Sequence, residues 1–163
     1  MTVLLVEDEN LTASEMKEKL ETSGHRVIIA DSAENALNTL DGNDPIHLFL
    51  VDIGLLSSMD ETGLVRQILA HDSPLVFLSS HDESNGIGRT EGVPSYGYVD
   101  KDSGTAVLDA SLKLAYRLFT EKKARENKET EQRLAQERLH EVIENSLNAS
   151  YKRNLLTDTY DYM

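Results

Sequence analysis

The sequence contains no cysteine and no tryptophan, and only 3 of its 163 residues are proline. Without cysteine there is neither a disulfide frame nor a thiolate metal site. No apolar run approaches the roughly 18 residues of a membrane span, and the start carries no basic segment of the kind that opens a secretion signal. The chain therefore reads as a soluble, cytoplasmic protein with no membrane contact in this stretch. Positive charge is scarce at the front. Residues 1–104 hold 19 Asp and Glu against 6 Lys and Arg, which accounts for the whole net charge of −13, whereas residues 105–163 hold 10 of each kind. An acidic front argues against direct binding to nucleic acid and permits a divalent cation. The length suffices for one domain with a sizeable core and an extension beyond it, and the charge shift near residue 104 marks a change in organisation.

What is present is a series of short apolar runs that stop at polar residues. The organising stretch runs from His47 to Gly54: Leu48, Phe49, Leu50 and Val51 form a run that reads as a strand buried on both faces, closed by Asp52. Before it, Thr2–Val6 reads as a strand ending at Glu7 and Asp8, and Val27–Ala30 as another. After it, Leu75–Ser80 reads as a strand ending in two hydroxyls, and Tyr96–Val99 as a short fifth strand followed by Lys101. Between them lie helical patterns. Leu11, Ala13, Met16 and Leu20 suggest one apolar face, with Gly24 as the stop. Ser32 can cap a helix carrying Ala33, Ala36, Leu37 and Leu40, and Leu64, Val65, Ile68 and Leu69 form a third stripe. Asp41–Pro45 reads as a turn and Ser57–Asp60 as a loop. His81–Gly92 is the weakest region, since Asn85, Gly86 and Gly88 are poor helix residues, and it reads as a short, mobile helix. Strands alternating with helices predict a doubly wound α/β fold, flavodoxin-like, with a five-stranded parallel sheet in the order 2-1-3-4-5.

In such a sheet the carboxyl ends of all strands share one edge. Glu7 and Asp8, Asp52, Ser79 and Lys101 can therefore converge although they are far apart in sequence. Three carboxylates together raise one another's pKa unless a cation joins them. The hard, all-oxygen set suits Mg²⁺, and Lys101 adds a second positive charge. Phosphoryl transfer needs an in-line nucleophile with positive charge around the equatorial oxygens. Asp52 can be that nucleophile, forming an aspartyl-phosphate, and Ser79 can donate a hydrogen bond to the new phosphoryl oxygens.

These residues resemble the receiver domain of two-component response regulators over about residues 1–120. The matching segments are Leu5–Glu9, Val51–Ile53, Phe77–Ser80 and Gly97–Lys101, with 44 residues between Asp8 and Asp52 and 22 between Ser79 and Lys101. The resemblance implies a phosphoacceptor at Asp52, charged by a histidine kinase or phosphotransfer protein. It implies Mg²⁺ bound by Asp8, Asp52 and the Gly54 carbonyl, with Glu7 acting through water. It also implies a switch in which Ser79 moves to the phosphoryl group and Tyr98 swings into the space left; the plainer reading of Tyr98 is a core aromatic at a strand end. Such a domain is a signalling module with self-catalysed phosphotransfer and dephosphorylation rather than an enzyme acting on an external substrate. Some positions depart from the commonest pattern: Glu7 replaces an aspartate, and Asp102 stands where many receivers have proline. By the resemblance, Gly54 and His81 occupy the two loop positions that, in the family, tune loss of the phosphoryl group. Two rivals remain: a pseudo-receiver that only mediates association, and a phosphatase with an aspartyl-phosphate intermediate. The latter would normally need a second acid at position 54, which is glycine.

Ala106, Val107, Leu108, Leu112, Ala115, Leu118 and Phe119 form the stripe of a helix closing the sheet. That helix does not stop. Thr120–Arg138 contains no Gly or Pro and carries opposite charges at Glu121/Arg125, Arg125/Glu129, Glu129/Arg133 and Arg133/Glu137. A run to about Asn148 would measure roughly 65 Å at ~1.5 Å per residue. Residues 121–138 read either as a solvated connector or as the coiled-coil linker of a homodimer. Leu139, Val142, Ile143 and Leu147 restore an apolar face, and Asn148–Met163 suggests two short strands around Leu156–Asp158. With Tyr151 and Tyr160, residues 139–163 resemble the incomplete start of a PAS sensor domain. That resemblance implies a longer parent such as a hybrid sensor histidine kinase, although no kinase residues are present here.

Overall fold

The computed structural model describes residues 1–42, 44–57, 61–80, 90 and 92–158, with the side chains of 56, 57, 61, 62 and 150–158 left aside. The element order is β1 (Thr2–Val6), α1 (Asn10–Thr22), β2 (Arg26–Ala30), α2 (Ala33–Leu40), β3 (Leu48–Asp52), a 3-10 turn (Gly54–Ser57), α3 (Glu61–Ala70), β4 (Leu75–Ser79), β5 (Tyr98–Asp100) and α4 (Thr105–Asp158). All strand pairs are parallel, and the sheet order is β2-β1-β3-β4-β5. The doubly wound fold expected from the alternating pattern is the fold observed.

The alternation of side chains along a strand sorts the core into two layers. Leu4, Val6, Phe49, Val51 and Phe77 point to one face, where Ala36 of α2 and Leu64, Val65 and Ile68 of α3 cover them. Val3, Leu5, Leu48, Leu50, Val76 and Leu78 point to the other, under Ala13, Met16 and Leu20 of α1 and Leu108, Leu112 and Ala115 of α4. Because both faces are covered, β1 and β3 are buried throughout, as the uninterrupted apolar runs require. Ser32 caps α2 by accepting the Asn35 N–H at 3.2 Å, and Gly24 leaves α1 at φ +83°, where a side chain would be strained.

The helix stripes are narrower than the sequence suggested. Leu11 is 68% exposed because it stands two residues, about 200°, from Ala13 on the helix. Leu69, Val107 and Leu118 are also exposed, since the buried rows keep 3- and 4-residue steps through Leu64–Ile68 and Leu108–Leu112–Ala115. The last strand starts at Tyr98 rather than Tyr96, although the Tyr96 N–H already donates to the Leu75 carbonyl at 2.8 Å.

The chain divides into two compact units, Met1–Thr120 and Glu121–Met163. In the second unit the residues expected to form two strands from Asn148 onward are instead helical through Asp158. The segment lacks Gly and Pro, and an isolated hairpin cannot bury itself. The last five residues, Asn43, the loop residues 58–60 and the segments at 81–89 and 91, including His81, lie outside the described residues. On the helix surface Arg125–Glu129 (3.9 Å) and Arg133–Glu137 (3.7 Å) close as i,i+4 pairs, as do Lys122–Glu126 (3.9 Å) and His140–Glu144 (3.2 Å). Leu134, Leu139, Val142, Ile143 and Leu147 are exposed there. Among the described residues no helix is long and apolar enough to cross a membrane.

Candidate functional site

Parallel strands deliver their carboxyl ends to one edge, and there the polar residues meet. β1 releases Glu7 and Asp8, β3 ends on Asp52, β4 on Ser79, and β5 is followed by Lys101. The backbone fixes these positions: the Glu7 N–H donates to the Ala30 carbonyl (3.0 Å), the Ile53 N–H to that of Leu78 (2.9 Å), and the Lys101 N–H to that of Ser79 (2.9 Å).

The centre of the arrangement is the Lys101 ammonium. Its Nζ lies 2.8 Å from Glu7 Oε2 and 3.0 Å from Asp52 Oδ1. Glu7 is 1% exposed and Asp52 4%, while Asp8 is exposed. Burial raises the Glu7 carboxyl above its ordinary range; the bond from Lys101 opposes this and the Asp52 charge reinforces it. Burial acts to lower the Lys101 ammonium, but its bonds to Glu7 and Asp52 prevail and raise it, so it stays charged. The Glu9 N–H donates to Glu7 Oε1 (3.3 Å) and the Gly54 N–H to Asp52 Oδ1 (3.2 Å).

Glu7, Asp8 and Asp52 each offer a carboxylate oxygen, all within 4.8 Å of one another. Three carboxylates beside one ammonium leave negative charge in excess. An all-oxygen set with one exposed arm is the chemistry Mg²⁺ takes, since that ion prefers a few carboxylates and retained water. The residues present fit the ion.

Ser79 lies at the same edge, partly buried and in register with Asp100. Tyr98 stacks on Phe77 with ring centroids 5.6 Å apart and is 41% exposed, so it is not the core aromatic of the plainer reading. Its hydroxyl pairs with Thr90 Oγ1 at 2.6 Å. Thr90 is buried and was not singled out from the sequence, because the segment before it, broken by Asn85, Gly86 and Gly88, gives no periodicity to place it. Lys19 is a second residue that spacing could not find: it lies on α1, yet its ammonium reaches the carbonyls of Lys101 (3.3 Å) and Ser103 (3.1 Å).

Comparison with known proteins agrees with this geometry. Residues 3–113 match the response regulator receiver domain family. The transcriptional regulatory protein CpxR of Escherichia coli (strain K12) is 36% identical over 80 residues, which is 48% of this chain and 33% of that protein, so the match spans about a third of the relative's length. The N-terminal domain of a response regulator/sensory box/GGDEF 3-domain protein from Carboxydothermus hydrogenoformans superimposes with a TM-score of 0.66 at 31% identity, over 75% of this chain and 98% of that one. The signal receiver domain of a modulated diguanylate cyclase from Desulfovibrio desulfuricans G20 gives 0.64 at 27% identity, over 74% and 97%. With the family match covering most of the chain and the acids, hydroxyl and lysine standing at one sheet edge, this chain belongs to the response regulator receiver domain family.

Proposed function

We propose that the domain accepts a phosphoryl group on Asp52 from the phosphohistidine of a histidine kinase or phosphotransfer protein, in a Mg²⁺-dependent reaction. The observation that carries this reading is the Lys101 ammonium held against both Glu7 and Asp52. In the transfer an Asp52 carboxylate oxygen forms the new P–O bond while the donor's P–N bond breaks, its electron pair leaving with the imidazole nitrogen. Lys101 stands where it can meet the charge of the incoming phosphoryl oxygens. Glu7, Asp8, Asp52 and the Gly54 carbonyl would hold Mg²⁺, which supplies further positive charge to those oxygens when bound. Ser79 donates its hydroxyl to the phosphorylated state.

The added charge of about −1.5 to −2 arrives at an edge already rich in carboxylates. Response to it runs through Ser79 and Tyr98: if Ser79 turns to the phosphoryl group, Tyr98 gives up its bond to Thr90 and repacks. The start of α4 lies in the same domain and carries the change onward. The domain acts in the cytoplasm, as a signalling module rather than on nucleic acid directly. The exposed row Leu139, Ile143 and Leu147 on α4 supports pairing with a second copy of the chain.

The test is intact mass after incubation with acetyl phosphate, with and without Mg²⁺, on the chain and on Asp52→Asn. One Mg²⁺-dependent phosphoryl adduct, absent in the variant, is expected. No adduct on the folded chain would instead favour an association-only pseudo-receiver.

A further inference from the structure

We infer that Lys19, on α1 and outside the acidic cluster, is a positioning residue for Lys101 in phosphoryl transfer; this rests on the receiver reading above. The turn after β5 contains no apolar side chain between Asp100 and Gly104 that could anchor it in the core. It is held by polar bonds. Asp100 organises it from within: its Oδ1 accepts the Asp102 N–H at 2.8 Å, and its carbonyl accepts the Ser103 N–H at 3.0 Å. From outside, the Lys19 ammonium donates to the carbonyls of Lys101 (3.3 Å) and Ser103 (3.1 Å).

Both main-chain groups of Lys101 are therefore tied down, its N–H to the Ser79 carbonyl and its carbonyl to Lys19. This matters because a lysine side chain has four rotatable bonds, and its Nζ reaches Glu7 and Asp52 together only from a fixed base. Lys19 is itself well placed to hold still. Its neighbours Met16 and Leu20 are packed in the core, so α1 is fixed against the sheet. A cation in the last turn of a helix also meets the negative end of the helix dipole. Among the described residues no carboxylate pairs with Lys19, in contrast to Lys17, which pairs with Glu21 at 3.7 Å on the open side of the same helix. The ammonium is directed at main-chain oxygen of the active-site turn.

The experiment compares the wild-type chain with Lys19→Met, Lys19→Arg and Lys17→Met, measuring the acetyl phosphate reaction rate at saturating Mg²⁺ and, separately, the Mg²⁺ dissociation constant. Lys19→Met is expected to slow phosphorylation on the order of tenfold, since small misplacements of a charged group at the reacting centre are costly. Mg²⁺ binding should not weaken, because Glu7, Asp8 and Asp52 are set by β1 and β3. Lys19→Arg should recover most of the rate, and Lys17→Met should match wild type. Hydrogen exchange supplies the check should Lys19→Met lose its fold: in Lys19→Gln, a milder change, the amides of residues 101–104 should exchange faster while those of β1 and β3 stay protected. A wild-type rate in a folded Lys19→Met, a parallel loss of Mg²⁺ affinity, no recovery in Lys19→Arg, or unchanged exchange in Lys19→Gln would each overturn the inference while leaving the receiver reading intact. A wild-type chain that takes no phosphoryl group would overturn that reading, and this inference with it.

Discussion

Replacing Lys101 with methionine keeps most of the stem and removes the charge, which makes it a direct probe of what holds the acidic edge together. The ammonium contacts Glu7 at 2.8 Å and Asp52 at 3.0 Å, with both acids buried. At an effective dielectric of about 20 each contact is on the order of 5–6 kcal/mol before desolvation is charged against it. Desolvation offsets much of that, and removing one partner of a buried pair costs about 3–5 kcal/mol, because the other is left uncompensated. Against a total of about 5–15 kcal/mol for a domain this is a large fraction. The cost has a definite pH signature. Glu7 is raised in the folded state even with Lys101 present, and losing the lysine removes an influence that lowers it. A folded-state acid with a raised pKa binds protons more readily than the unfolded chain, so its penalty is full above the folded pKa and disappears as the pH falls toward the ordinary value of 4.5. Urea unfolding of Lys101→Met should therefore show a deficit near neutral pH that narrows on acidification. If the site takes Mg²⁺, the ion at 100 times its dissociation constant should return about 2.7 kcal/mol. A variant within about 0.5 kcal/mol of wild type at neutral pH, the range of an ordinary surface substitution, would refute the reasoning.

Asp109 ties two elements together, meeting His25 Nε2 and Lys113 Nζ at 2.7 Å each, and Lys113 first and His25 second hold its carboxyl below the usual carboxylate range. Its depressed pKa contributes stability present above the ordinary value of 3.8 and lost as the pH falls through the folded value. Asp109→Asn should cost about 1 kcal/mol in thermal melts near neutral pH, with the two curves converging at the acid end. Met16→Ala, opening a cavity under α1, should cost about 2–5 kcal/mol in urea, and a smaller loss would mean that the helix resettles onto the sheet. Thr90→Val removes the partner of the Tyr98 hydroxyl and should shift the Tyr98 ring resonances in NMR spectra; unchanged resonances would show that Phe77 stacking alone holds the ring. Leu139→Glu with Ile143→Glu should convert a dimer to a monomer by light scattering while leaving the unfolding of residues 1–120 unchanged, and a wild-type chain that is already monomeric would remove the proposed pairing.

The sheet was legible in the sequence because a strand buried on both faces has no solvent side. Leu48–Val51 and Val3–Val6 are apolar at every position, and that, with intervening helical patterns, leaves few parallel topologies. Parallel pairing then places Glu7, Asp8, Asp52, Ser79 and Lys101 at one edge whatever the details of packing. The charge pairs and the absence of Gly and Pro likewise marked the long helix, though not its end. Asn148–Met163 suggested two short strands around Leu156–Asp158, but a strand needs a partner outside itself, whereas a helix satisfies its backbone locally and continues through Asp158. Apolar count alone overstated the helix stripes, because burial of Leu11, Leu69 and Val107 is decided by angle around the helix and by which neighbour lies there. Tertiary structure alone decided the contacts between residues with no sequence relation. Lys19 reaches a turn 82 residues away, His25 reaches Asp109 across 84, and Thr90 meets Tyr98 from a segment without periodicity. Periodicity reports which face an element buries; it carries no information about which polar side chain, on another element, will find the carbonyl or hydroxyl that the fold brings within its reach.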